Sequence, residues 1–479
     1  DLLPRVRRQR QMCIRDRIDR EERPDIDSVY MSVCQAFTGS GGWPMSIFMT
    51  WDKKPFFAGT YFPPKSHYGM PGFPDLLDVI VSQWNNNRRK LLQSAEQIIT
   101  HLKSAESGDK NIDDEELIKR AMQIFSESFD EINGGFSSAP KFPTPHNLLF
   151  LMLYAKHKQD SDALKMAEKT LLQMRKGGIF DHIGYGFSRY STDKYFLAPH
   201  FEKMLYDNAL LIIAYSAAYY LTNNEIYLDT AEKTTEYILR EMTSADGGFY
   251  SAQDADSEGV EGKYYTFTLD EIINVLGEEK GKRFAESFDI TSNGNFEGVN
   301  ILNLLKSNDL ESDFSEEIHK LYDYRKKRTN LHLDNKILLS WNSLMIAALS
   351  MFYRVSRNEK YLNAVVNAQK FIEENMCDGV QLFTSWRDGK HSEKSFLDDY
   401  AFYIASLIEL YNSTLDKIYL EKAERFCDEA VRQFEDCQRD GFYLCEASYT
   451  EIFMNPKETY DGAIPSAVSY THLRAHETL

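Results

Sequence analysis

Apolar residues recur at helical spacing along most of the chain, and the exceptions gather near its start. Between residues 18 and 61 the pattern is α/β: residues 26–38 predict a short helix, 44–50 a short buried strand and 55–61 a second strand, with a turn at Trp51-Asp52-Lys53-Lys54. Pro63-Pro64 ends that strand, and residues 74–103 predict an amphipathic helix whose apolar members include Leu77, Ile80, Trp84, Leu91 and Ile98. Residues 104–113 are small and polar and read as the linker. Beyond them nearly everything is helical: about 115–130, 146–157, 161–175, 200–221, 225–242, 315–327, 338–355, 359–376, 396–413 and 416–435. Strand signals there are short, as at residues 263–268.

One stop signal recurs among these helices. Asn133-Gly134-Gly135-Phe136, Lys176-Gly177-Gly178-Ile179, Asp246-Gly247-Gly248-Phe249 and Asp440-Gly441-Phe442 each follow a helical stretch. Glycine accepts the left-handed conformation that ends a helix, so the unit is a helical hairpin followed by a short extended piece. Its spacing is too irregular for a solenoid, and long insertions follow alternate helices, as in a closed ring with one functional face.

Composition narrows the class. A chain of 479 residues exceeds one core, so two domains are expected. The longest apolar run, residues 210–221, is broken by Tyr215, Tyr219 and Tyr220, which predicts a buried helix and no membrane span. A net charge of −18 repels a phosphate backbone and excludes a nucleic-acid partner. Six scattered cysteines form no Cys-x-x-Cys pair, which fits free thiols in a reducing, cytoplasmic setting and predicts no zinc site. Residues 1–17, with six Arg against two Asp, and 469–479 resemble translated adapter sequence and are set aside as non-native.

Candidate chemistry concentrates in a few stretches. Gly41-Gly42-Trp43-Pro44 heads a buried strand, and the order helix, Pro-headed strand, turn, strand, helix is the second half of a thioredoxin fold. Residues 180–190 and 199–208 are the richest. His200, Lys203 and Asp207 fall at i, i+3 and i+7, which on a helix would put a base, a cation and a carboxylate on one face, or merely a solvated stripe with one salt bridge. Asp254, Asp256, Glu258 and Glu261 open like a calcium loop, but Tyr265 stands where that loop needs its glutamate, so the carboxylates read as sugar acid–base groups or as an acidic surface turn. Trp341-Asn342 and Asp398-Asp399 each sit at a helix start. They read as saccharide contacts, or as core and N-cap residues. No phosphate-binding loop, dinucleotide fingerprint or His-Glu-x-x-His is present, and no cofactor is expected.

Asp19-Arg20-Glu21-Glu22-Arg23-Pro24-Asp25, Gly41-Gly42-Trp43-Pro44, Phe57-Ala58-Gly59-Thr60-Tyr61-Phe62-Pro63-Pro64, residues 199–207 and Asp254-Ala255-Asp256-Ser257-Glu258-Gly259 together resemble the spermatogenesis-associated protein 20 family. The resemblance runs from about residue 18 to 466. It implies a thioredoxin-like domain followed by an (α/α)6 barrel similar to six-hairpin glycosidases and N-acylglucosamine 2-epimerases. The family's Cys-x-x-Cys lies upstream of Asp19, so its redox chemistry is carried onto no residue here. Asp461-Gly462-Ala463-Ile464-Pro465-Ser466 matches a family motif, after which the match ends, so truncation of the fold at both ends is expected.

The expected organisation is therefore a partial thioredoxin-like α/β domain over residues 18–104 and an all-α (α/α)6 toroid over 113–466. The expected function is action on a small saccharide, of epimerase or glycosidase type. A thiol-redox or chaperone role of a longer protein and a non-catalytic binding protein stand as alternatives. His200, Asp254, Asp256 and Asp399 are the candidate catalytic residues. Arg189, Tyr190, Glu202, Asp207, Trp341, Asn342 and Asp398 are the candidate binding groups.

Overall fold

The computed structural model describes residues 16–67, 69–105, 114–307, 310, 312–392, 394–438, 441–458 and 460–466. It divides the chain into two compact units: Asp1–Asn111 with Gln433–Glu458, and Ile112–Arg432 with Thr459–Leu479. Most of the expected linker, residues 106–113, and most of the two stretches set aside as non-native lie outside the described residues.

In the first unit, helix α1 (Pro24–Thr38) opens with proline, whose fixed φ suits a first turn, and closes on Gly39 at φ 77°. The Trp43–Pro44 peptide is cis. Strand β1 (Ser46–Met49) pairs antiparallel with β2 (Pro55–Gly59), with Ser46 opposite Gly59 and Phe48 opposite Phe57. Helix α2 (Phe73–Ala105) follows, broken at Asn87. The element order is the one expected, but this unit holds more than residues 18–104. Residues 433–458 join it, so the helical domain is not the single span 113–466. The cause is apolar: Tyr449, Ile452, Phe453 and Met454 pack on the core of Val29, Val33, Cys34 and Ala58. Buried Asp25 fastens the same segment, bonding to Arg23 (2.7 Å) and to the Tyr449 hydroxyl.

The second unit begins with α3 (Asp114–Ser128) and continues as helical pairs: α4 (Pro145–Lys158) with α5 (Ser161–Lys176), and α6 (Leu205–Thr222) with α7 (Glu225–Glu241). An insertion follows, carrying α8 (Leu269–Leu276), α9 (Glu278–Ser287) and α10 (Ser315–Arg328) around its own core of Phe267, Ile272, Phe284, Phe288 and Leu321. Two more pairs complete it, α11 (Leu339–Ser356) with α12 (Glu359–Asn375), and α13 (Leu397–Thr414) with α14 (Lys417–Phe434). The predicted strand at 263–268 is mostly turn, with only Phe267 bridging to Asn300.

All four pairs turn by the same device. A left-handed residue ends the first helix (Gln159, Asn223, Arg357 and Leu415, φ 53–58°), and its N–H returns to the carbonyl four residues back. The next side chain, from Asp160, Asn224, Asn358 or Asp416, then caps the second helix by accepting a backbone N–H. Within the pairs, α6, α11 and α13 are 18 residues long and buried on nearly every face, whereas α5, α7 and α12 bury one stripe. Helix α11 packs between α6 and α13, and α4 packs on α6. This inner and outer alternation of α-hairpins resembles an (α/α)6 toroid. It also sets the starts of the inner helices side by side.

Candidate functional site

Three inner helices start in one register. Each follows an extended residue (Met204, Leu338 or Phe396), so their third positions are Asp207, Trp341 and Asp399, and their fourth Asn208, Asn342 and Tyr400. The fourth residue is a clamp. The Asn208 amide accepts the Phe187 N–H (2.7 Å) and donates to the Phe187 and Met204 carbonyls (3.0 and 2.9 Å). Asn342 repeats this on Phe249 and Leu338, at 2.8, 2.9 and 2.9 Å. Tyr400 takes the role with its hydroxyl, donating to the Val380 carbonyl and accepting from the Leu382 N–H. Asn342 was expected to bind substrate; it is fully buried and its amide is committed to backbone.

Asp399 is likewise occupied. One oxygen accepts the Phe396 N–H (2.9 Å) and the other the Thr384 hydroxyl (3.1 Å), which makes it a helix cap, while burial pushes its carboxyl up to about 6. Asp398, beside it, is partly buried. Trp341 is buried, its ring edge-on to Tyr206 at 4.8 Å. Asp399 and Trp341 fit the cap and core readings open to them in the sequence.

The approach to α6 differs from expectation. Residues 200–204 are not helical: Pro199–His200 pairs with Tyr190–Ser191, and Lys203–Met204 with Ala252–Gln253, so α6 starts only at Leu205. His200, Lys203 and Asp207 therefore share no helix face. Strand pairing satisfies these backbone groups, and Met204 is extended. The same pairing draws the 252–261 loop to residues 189–207.

A compact polar group results. His200 Nδ1 lies 2.7 Å from Glu261 Oε1, and Nε2 lies 3.6 Å from Glu202 Oε2. Glu202 and then Glu261 hold the imidazole above its ordinary value, against burial. Glu202 is itself held below the usual carboxylate value by His200, and also by Arg189, whose Nη1 is 3.3 Å away. Burial works against the Arg189 charge, but Tyr206, Glu202 and Asp207 outweigh it and raise its value. Asp207 is 2% exposed, and its Oδ2 has no hydrogen-bond partner. Burial lifts its carboxyl well above the ordinary range; Arg189 opposes this, and the Glu202 charge adds to it. The carboxyls of Asp207 and Glu202 are thus pushed in opposite directions, with the Arg189 charge opposing the first shift and supporting the second.

The structure brings Arg189, Tyr190, His200, Glu202 and Asp207 together and sets Trp341 against Tyr206. It leaves Asp254 and Asp256 exposed, Asp254 accepting the Asp256 N–H at 3.1 Å. The loop carboxylate that reaches the imidazole is Glu261, named in the acidic stretch of the sequence but not among the candidate catalytic residues. Glu261 stands opposite Asp256 in the two-stranded turn, and only that pairing reveals it.

Lys203 serves a second missed group. Its Nζ is 2.8 Å from Asp181 Oδ2 and donates to the Tyr185 carbonyl, while Arg325 binds Asp181 with two bonds of 2.9 and 2.8 Å. Burial would raise the Asp181 carboxyl, but Arg325 and Lys203 hold it far below the usual range. Burial also lowers the Lys203 ammonium to about 8. Gly184 is required here, since a side chain would meet the Arg325 guanidinium. The neighbouring cavity, lined by Asp181, His182, Phe201, Tyr265 and Ile301, is about 20 Å³, room for one water and not for a sugar. This cluster joins residues 181–185, Lys203 and α10 as a structural lock.

A family model named Thioredox_DsbH and described as a protein of unknown function, DUF255, matches residues 7–103, so the first unit is thioredoxin-like; the match begins inside the stretch set aside as non-native. Human spermatogenesis-associated protein 20 is 36% identical over 97% of this chain, and the rat protein 36% over 96%. The chain spans 66% and 65% of their lengths. An uncharacterized protein of Caenorhabditis elegans is 35% identical over 95% of this chain and 68% of its own. Among solved structures, a GH76 α-mannanase of Bacteroides thetaiotaomicron matches with TM-score 0.44 and 14% identity over 70% of this chain and 74% of its own. A cellobiose 2-epimerase of Bacillus thermoamylovorans matches with TM-score 0.32 and 15% identity over 74% and 93%. No described helix is long and apolar enough to cross a membrane. With more than a third of its residues identical to the human protein along almost its whole length, the chain belongs to the spermatogenesis-associated protein 20 family.

Proposed function

We propose that the helical unit hydrolyses a glycosidic bond at the start of α6, with Asp207 as general acid and Glu202 as general base. The observation that carries this is the Asp207 carboxyl, buried without a partner on Oδ2 and lifted well above the ordinary range, next to a Glu202 held ionised by His200 and Arg189. Two carboxyls pushed in opposite directions provide an acid and a base at one pH. Asp207 gives its proton to the glycosidic oxygen as the carbon–oxygen bond breaks. Glu202 takes a proton from the attacking water, and exchange with solvent resets both. Hydrolysis is favoured over epimerisation because both ring nitrogens of His200, the candidate base for the latter, face carboxylates, Nδ1 Glu261 and Nε2 Glu202, which favour the protonated ring.

The test is reducing-sugar release from a panel of neutral oligosaccharides. Asp207→Asn and Glu202→Gln should each lower kcat by about 10²-fold or more, with helical circular dichroism unchanged. The wild-type rate should fall at high pH as Asp207 ionises. Wild-type turnover retained in Asp207→Asn, or no turnover by the wild type across the panel, overturns the proposal.

A further inference from the structure

Lys141 and Ser191 exchange backbone hydrogen bonds of 2.8 and 2.9 Å, so the chain around Lys141 runs antiparallel to Tyr190–Ser191, which pairs in turn with Pro199–His200. Side chains alternate along strands, and here Lys141, Ser191 and Pro199 face inward and are buried. Phe142, Tyr190 and His200 form a row on the other face. Their rings step by 4.7 Å from Phe142 to Tyr190 and 5.2 Å from Tyr190 to His200, tilted by only 30° and 31°. Phe142, at the far end, is 42% exposed. Glu202 and Glu261 stand at the His200 end.

Phe142 and His200 lie against the two faces of Tyr190, and we infer that the open outer face of Phe142 is a binding subsite for a neutral oligosaccharide, one sugar ring stacking there while the rest of the chain runs past the ring edges to the Glu202–Asp207 centre. A pyranose offers an apolar C–H face to an aromatic ring and a rim of hydroxyls to carboxylates, and the row supplies both in sequence. Charge selects against other ligands. Glu202 and Glu261 are balanced by His200 and Arg189, so an anion or a cation meets as much repulsion as attraction. An apolar peptide side chain would bury the carboxylates with no donor to replace water. His200 acts here as a positioning residue, held flat beside Tyr190 by Glu261. The subsite rests on the saccharide reading of the α6 centre.

The experiment is calorimetric titration of the whole chain with gluco- and manno-oligosaccharides, from mono- to hexasaccharide, alongside their turnover. Affinity of the wild type should rise with length. Phe142→Ala should weaken binding of the longer members about tenfold and raise their KM rather than lower kcat, while Phe142→Trp restores both. The helical circular dichroism signal checks that both variants fold. Equal affinity of wild type and Phe142→Ala at every length overturns the subsite, even where turnover stands. Length-dependent, Phe142-sensitive binding without turnover upholds the subsite and removes the acid–base assignment. No binding of any member by the wild type overturns both.

Discussion

Replacing Asn342 with alanine should destabilise the helical unit by about 3 kcal/mol. The amide makes three buried hydrogen bonds, at 2.8, 2.9 and 2.9 Å, and two of them serve Phe249, whose N–H and carbonyl are used by no other described pairing. Alanine leaves that N–H and C=O buried and unpaired, each costing about 1–3 kcal/mol. The Leu338 carbonyl stands at a helix start and loses less. Asn342→Asp should cost at least as much. It keeps the acceptor for the Phe249 N–H but turns an oxygen toward two carbonyls, so its penalty grows as pH rises and the carboxyl ionises. Urea unfolding followed by the helical circular dichroism signal measures both, with exposed Asp254→Ala as a control expected within about 0.5 kcal/mol of wild type. A loss below about 1 kcal/mol for Asn342→Ala would refute the clamp and return Asn342 to the ligand-binding groups.

Further outcomes follow from other buried groups. The folded Asp399 value of about 6 lies above the ordinary 3.8, so its share of stability is intact below about pH 4 and is lost as pH rises through 6. Asp399→Asn should flatten unfolding free energy across that window, and a variant profile parallel to wild type would contradict it. Asp181→Ala strands the Arg325 and Lys203 charges in the interior and should cost about 3–5 kcal/mol in the same urea assay; a loss under about 1 kcal/mol would mean the cluster is not a lock. Native-state maleimide labelling should modify exposed Cys437 and reach buried Cys34 only in denaturant. Rapid native labelling of Cys34 would show that α1 is not packed as described.

Much of the fold was legible because its signals are local. The i, i+3, i+4 spacing of apolar residues locates the helices within a few positions, and a short αL-plus-cap junction such as Asn223-Asn224 depends on adjacent residues alone. The misread stretch shows the limit. His200, Lys203 and Asp207 satisfy a helical period, but residues 199–204 find strand partners at Tyr190–Ser191 and at Ala252–Gln253, about fifty residues on, and that pairing overrides the period. Residues 433–458 are a stronger case. Tyr449 reaches Asp25 across more than four hundred positions, and no pattern along the chain announces it.

Of the candidate site, the sequence by itself determined the inventory: a histidine, an arginine and several carboxylates beside the start of one apolar helix. Which of them are available for chemistry was decided by tertiary structure. Asp207 and Asp399 occupy the same position of equivalent helices, and burial raises both. Asp399 is saturated by Phe396 and Thr384, whereas Asp207 has a free oxygen beside Arg189 and Glu202. An aspartate's place in the chain sets its covalent chemistry. Its proton affinity and its freedom to act come from the dielectric and the partners that folding puts around it.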